Sequence, residues 1–244
     1  MSGHSKWSTI KRKKEKTDGQ RAKIFTKIGR EISVAVREGG ADPSSNAKLR
    51  DLIAKAKSNN VPNDNIDRII KKAAGEGDKN NYETIVYEGY GPNGAAVIVE
   101  CLTDNRNRTA SEVRHYFDKF GGNLGTTGCV SFMFEPKGVI VVENVTDEDK
   151  AMEDFITAGA DDYNIDEDNV AEITTSPADF SAVREAVEGM GYAIVSAEVE
   201  QVPANTISLT DEDSQVKMRR LLDALDDNDD VQNVWHNLDN EDEF

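Results

Sequence analysis

Between Asp18 and Gly39 the apolar residues Phe25, Ile28, Ile32 and Val36 recur at spacings of 3, 4 and 4, which predicts one buried helix stripe. Lys23, Lys27, Arg30 and Arg37 fall nearly opposite that stripe, so the helix buries one face and offers a cationic other. Asp18 is placed to cap it, and Gly39-Gly40 to stop it. Pro43-Ser44-Ser45 opens a second predicted helix with Leu49, Ile53 and Ala56 inward. Val61-Pro62-Asn63 breaks it and caps a third, with Ile66, Ile69, Ile70 and Ala73 inward and Gly75 at its end. The stretch Gly75–Asn81 reads as a linker.

After the linker the period changes from helical to mixed. Thr84–Tyr90 and Ala95–Leu102 read as strands joined by the turn Gly91-Pro92-Asn93-Gly94. Thr109-Ala-Ser-Glu112 has the spacing of a capping box, predicting a helix with Val113, Phe117 and Phe120 buried. Gly121-Gly122 stops it, and Cys129–Phe134 reads as a third strand, an incomplete split βαβ sheet. From Val139 to Glu198 a full β-α-β-β-α-β series follows, the order of a ferredoxin-like unit. A helix capped by Thr210, with Met218, Leu221, Leu222 and Leu225 inward, and a strand at Val231–His236 then supply what the incomplete sheet lacked. The expected fold is therefore α+β, a helical bundle domain plus two ferredoxin-like domains, one of them discontinuous. The expected domains are 1–79, 80–136 with 203–244, and an inserted 137–202.

Charge sharpens this division. The 244-residue chain has a formal charge of -17, yet residues 1–79 hold 19 Lys/Arg against 10 Asp/Glu, a net of +9. Residues 80–244 hold 10 against 36, a net of -26. Such asymmetry points to a polyanionic partner for the basic part. No run approaches the length of a membrane span, and the N-terminus lacks the apolar core of a signal peptide. Its Lys-rich composition, with Glu15 and Asp18, also departs from a mitochondrial presequence. A cytoplasmic protein without a membrane partner is expected. Cys101 and Cys129 sit in apolar runs, as buried thiols in a reducing compartment would.

Enzyme signatures fail on context. Gly89-Tyr-Gly91-Pro-Asn-Gly94 spells a dinucleotide fingerprint but leads into a strand, where such a site needs a helix N-terminus. Gly121–Gly128 is glycine-rich but lacks the Lys-Ser/Thr of a phosphate loop. Glu112-x-x-His115 has no second pair to complete a di-metal site. Asp161–Asp168 lacks the Gly and Glu of a calcium loop. No catalytic residue, metal or cofactor is expected, and the protein reads as a non-enzyme.

The basic end remains. Its expected nucleic-acid contacts are Lys6, Trp7, Lys11, Arg12, Lys13, Lys14, Lys16, Arg21, Lys23, Lys27, Arg30, Lys48, Lys55, Lys71 and Lys72. Lysine and arginine suit phosphate, which gives affinity without sequence reading. Trp7 either stacks on an exposed base or anchors the tail against the first helix. Lys11-Arg-Lys-Lys14 also spells a nuclear import signal, a pattern of low specificity.

These residues resemble a known family. Gly3-His-Ser-Lys-Trp7, Lys23-Ile-Phe-Thr-Lys27, Ala54-Lys-Ala-Lys57 and Val61-Pro-Asn-Asp-Asn-Ile66 are similar to signatures of the YebC/PmpR family. So are Tyr87-Glu-Gly-Tyr-Gly-Pro92, Thr103-Asp-Asn-Arg-Asn-Arg-Thr109 and Val231-Gln-Asn-Val-Trp235. The resemblance implies three domains, one discontinuous, and a role in gene expression without catalysis. Members are described as DNA-binding transcriptional regulators or as activators of translation, including the mitochondrial activator of cytochrome c oxidase subunit I. It makes Arg106, Arg108, Asn123, Thr126 and Thr127 secondary contact candidates. The favoured partner is rRNA or the ribosome, with DNA as the alternative. A protein-interaction scaffold, its acidic domains facing a basic protein, is the third reading. A monomer is expected.

Overall fold

The computed structural model describes Ile10, residues 18–75 and residues 81–241, the side chains of 18–20 excepted. Two compact units result. One holds Ile10 with residues 135–202, and the other holds residues 18–134 and 203–241 as far as they are described.

Helix α1 (Asp18–Gly39), α2 (Ala47–Ser58) and α3 (Asn63–Ala74) form the helical module. Ile28, Ile32, Ala35 and Val36 of α1 pack on Leu49, Ala56, Val61, Ile66 and Ala73, as their spacing predicts. The side chain of Asp18 lies outside the described residues. Gly40, at φ +87, takes the left-handed turn that ends α1. Its neighbour Gly39 is needed for space, because a Cβ there would lie 2.7 Å from the Asn46 amide. Asn46, rather than Pro43–Ser45, caps α2: Oδ1 accepts the Leu49 N–H at 3.0 Å. The same buried amide donates to Ala35 O and Gly40 O at 2.8 Å each, so one side chain ties α1 to α2.

The first sheet contains β1 (Glu83–Tyr90), β2 (Ala96–Thr103) and β3 (Asn123–Leu124), with helix α4 (Arg106–Lys119) between β2 and β3. Its third strand is this two-residue segment, not Cys129–Phe134. The Glu88 carboxylate accepts the N–H groups of Gly128, Val130 and Ser131, which removes them from any strand ladder. A 3-10 turn at Ser131–Met133 forms there instead. Likewise α4 begins a turn earlier than the Thr109 capping box predicts, because Asn105 caps it by accepting the Arg108 N–H at 3.1 Å.

Residues 134–203 fold as β4 (Phe134–Glu143), α5 (Glu148–Ala158), β5 (Asp162–Ile165), β6 (Ala171–Thr175), α6 (Phe180–Gly189) and β7 (Ala193–Pro203). Their order across the sheet is β5-β6-β4-β7. Ile140, Val142, Ala171 and Ile173 face α5 and α6, packing on Phe155, Val183 and Val187. The alternate residues Val139, Val141 and Val170 form a separate cluster in which Ile10 is buried.

The chain then returns to the first sheet through α7 (Glu212–Asp227) and β8 (Val231–His236), giving the order β3-β1-β2-β8. Asp211, one residue beyond the predicted Thr210, caps α7 by accepting the Ser214 N–H. Val97, Val99 and Cys101 pack beneath Val113, Phe117, Met218, Leu221 and Leu225. The fold is α+β, with two four-stranded sheets among the described residues.

Candidate nucleic-acid interface

Helix α7 ends in Asp226-Asp227 and passes through Asn228, Asp229 and Asp230 into β8. Acids are unfavourable at a helix C-terminus, which already carries partial negative charge, and the last carbonyls there lack intrahelical donors. The cationic side of α1 answers both problems. Lys27 Nζ donates to Asp226 O at 2.7 Å. Lys23 Nζ donates to Asp227 O at 3.2 Å and to its carboxylate at 2.7 Å. Arg30 Nη1 lies 2.8 Å from both Asp229 O and Asp230 Oδ1, and its guanidinium carbon is 5.3 Å from the Tyr82 ring centroid.

Asp230 is the centre of this contact and is buried. Its Oδ2 accepts from Arg108 Nη2 at 2.7 Å, and the hydroxyls of Thr109 and Thr103 lie 2.9 and 3.1 Å from it. Burial pushes this carboxyl up, but hydrogen bonds from Arg108, Arg30 and Thr109 outweigh it and hold the group below the usual aspartate range. The Asp230 hydrogen bond raises Arg108 in turn, as the Asp227 hydrogen bond raises Lys23.

The expected contacts thus separate. Lys23, Lys27 and Arg30 are joined to the α7–β8 turn within the chain. Lys55 pairs with Glu31 at 3.1 Å, both half-buried, and Lys48 with Glu38 at 3.0 Å, both exposed. Arg21 is exposed, and so are Lys71 and Lys72 on α3. Lys57 and Arg68, not among the expected contacts, are exposed as well. Arg68, Lys71 and Lys72 are spaced by three and four residues, which puts them on one face of α3. Lys6, Trp7, Lys11, Arg12, Lys13, Lys14 and Lys16 lie outside the described residues.

Of the secondary candidates, Arg108 is held by Asp230 and Asp104, and Arg106 is exposed, 3.7 Å from Glu83. Asn123, Thr126 and Thr127 are exposed around a loop that Glu88 braces from inside. Burial raises the Glu88 carboxyl, while the N–H donors of Gly128, Val130 and Ser131 pull it below the usual range and prevail. The Tyr90 hydroxyl adds a bond to Cys129 O at 3.0 Å. This brace presents Phe132 to solvent at 76% exposure. Glu88, Phe132 and Asp230 escaped the sequence reading. Only Asp230 left a signal there, in the run of acids closing a helix.

A cationic helical module in one compact unit with a four-stranded sheet, and a second unit built on another four-stranded sheet, make the chain a multi-unit α+β protein with a basic N-terminal part. Residues 82–238 match the family described as TACO1/YebC second and third domain, and residues 5–76 match the TACO1/YebC protein N-terminal domain. A "probable transcriptional regulatory protein" of Acetivibrio thermocellus is 62% identical over 239 residues, covering 97% of this chain and 98% of that one. A protein of the same name from Caldicellulosiruptor saccharolyticus is 58% identical, covering 99% and 100%. The crystal structure of a conserved hypothetical protein from Aquifex aeolicus is similar with a TM-score of 0.82 at 46% identity, covering 92% of each chain. The chain belongs to the TACO1/YebC family.

Proposed function

We propose that this chain is a non-enzymatic regulator of gene expression that binds nucleic acid, and that it acts at translation on RNA or the ribosome. The observation that carries the reading is how exposed positive charge and net charge divide along the chain. Lys57, Arg68, Lys71 and Lys72 are exposed on the helical module, while residues 80–244 carry a net of -26. Phosphate attracts the first and repels the second, so contact begins at the module. These side chains supply backbone contacts without a legible base-reading set, which suits structured RNA better than a promoter. On this reading the protein works as a cytoplasmic monomer without a cofactor, its acidic sheets turned outward or toward basic proteins. The relatives' names favour a second reading, a regulator bound to duplex DNA.

Crosslinking the protein in cells and sequencing the recovered nucleic acid separates the two. Ribosomal RNA recovered above background supports the first, and enrichment of promoter DNA overturns it. In vitro, Lys71→Glu with Lys72→Glu is expected to reduce co-sedimentation with ribosomes at low salt. It should also lower the salt slope of binding by about 2, roughly one per lysine.

A further inference from the structure

The helical module and the first sheet keep separate apolar cores. The module's cluster draws only on residues between Ile24 and Ala73, and the sheet's only on residues between Tyr87 and Leu238. The bonds described between them are ionic or polar: Lys23, Lys27 and Arg30 against the α7–β8 turn, with Arg30 also 3.4 Å from Leu102 O on β2 and over Tyr82. Resting on the nucleic-acid reading above, we propose that the turn Asp226–Asp230 is an internal phosphate mimic. It occupies the cationic side of α1 until an incoming phosphate backbone displaces it, so that binding and release of the module from the acidic body are one event.

Three observations carry this. First, the turn offers α1 what a phosphate backbone offers: a row of anionic and carbonyl oxygens at 2.7–3.2 Å from successive cations. Second, the contact is graded. Asp227 and Asp226 at the rim leave 71% and 55% of their side chains exposed, while Asp230 at the inner end leaves 6%. A polyanion reaches Lys23 first, whose side chain is 40% exposed and whose pair is screened and weak, whereas Lys27 and Arg30 are covered to 11% and 19% exposure. Arg30 is the last to let go. Third, release relieves a conflict. A nucleic acid seated on the module would lie beside Asp226, Asp227 and Asp229, and turning the acids away removes that repulsion. The same acids then lose their cations at a helix C-terminus, which favours reclosure once the nucleic acid leaves.

The test uses the full chain in a Cys129→Ser background, with a 30-nucleotide hairpin RNA as the probe. Lys23→Cys and Asp227→Cys are introduced together and joined by a short bismaleimide. The bridged protein is expected to bind the RNA at least tenfold more weakly than the same variant left unbridged. Asp226→Asn with Asp227→Asn, which leaves every cation in place, is expected to bind severalfold more tightly than the parent. Equal affinity of bridged and unbridged protein overturns the proposal. If the parent binds no RNA, the nucleic-acid reading fails by itself, and the latch is judged with inorganic polyphosphate. Faster amide exchange at residues 226–232 on polyphosphate binding supports it, and unchanged exchange with polyphosphate bound overturns it.

Discussion

Helices α1 and α3 carry the same design, an apolar stripe backed by cations, and meet opposite surroundings. On α3, Arg68, Lys71 and Lys72 stand in solvent. On α1, Lys23, Lys27 and Arg30 close on the C-terminal end of α7, which lies about 200 residues away along the chain. Nothing in the two helices separates these outcomes. The difference is supplied by the acids at 226–230, which need cations both for their carboxylates and for the open carbonyls beneath them. A basic helix face is therefore a statement about supply, and its use depends on where demand arises in the fold.

The comparison breaks most sharply at Asp230. Asp230→Ala removes the carboxylate shared by Arg30, Arg108 and two threonine hydroxyls, and should cost about 3 kcal/mol in urea unfolding, as losing one partner of a buried ion pair does. Lys71→Ala on α3 should stay within about 0.5 kcal/mol of the parent. An Asp230→Ala protein as stable as the parent would show that α1 is held by something other than this carboxylate.

Acid should distinguish the two helices next. The Asp230 carboxyl is lowered in the folded chain from the ordinary 3.8, so its stabilisation is complete above that value and is lost as pH falls through the lowered one. Amide exchange in α1 should accelerate below a pH of about 4 more than in α3. Lys23 has the opposite sign. Its value is raised above 10.5, so its contribution is complete below that pH and disappears in stronger alkali. Among the cations of α1, the smallest effect is expected from Lys23→Ala. Both members of that pair are exposed, so thermal unfolding should register less than about 1 kcal/mol.

The stripe of Ile28, Ile32 and Val36, the ferredoxin-like order of residues 134–203 and the return of α7 and β8 to the first sheet were legible in the sequence, because periodicity and turn chemistry are local. Cap positions moved by one residue to one turn. Asn46 and Asn105 compete better than the serines and threonine nearby, and Thr109 is committed to Asp230. The strand expected at Cys129–Phe134 failed for a reason no local pattern carries. Two of its donors, Val130 and Ser131, belong to Glu88 some 40 residues earlier, and Cys129 and Met133 are spent on local turns. The use of Lys23, Lys27 and Arg30 was hidden likewise, since their partners come from the far end of the chain.

The bracing of that loop bears on what can bind there. Three amides converging on one point form a receptor for an anion, and a glycine-rich segment invites the thought of phosphate. Here the guest is tethered to the host. Any free anion must compete with a carboxylate that is always present and already desolvated, at an effective concentration no solute in the cell matches. The loop is thus a receptor sealed by its own chain. Its shape is independent of the ionic medium, and what it has left to offer a partner is the rim: two threonine hydroxyls and the ring of Phe132.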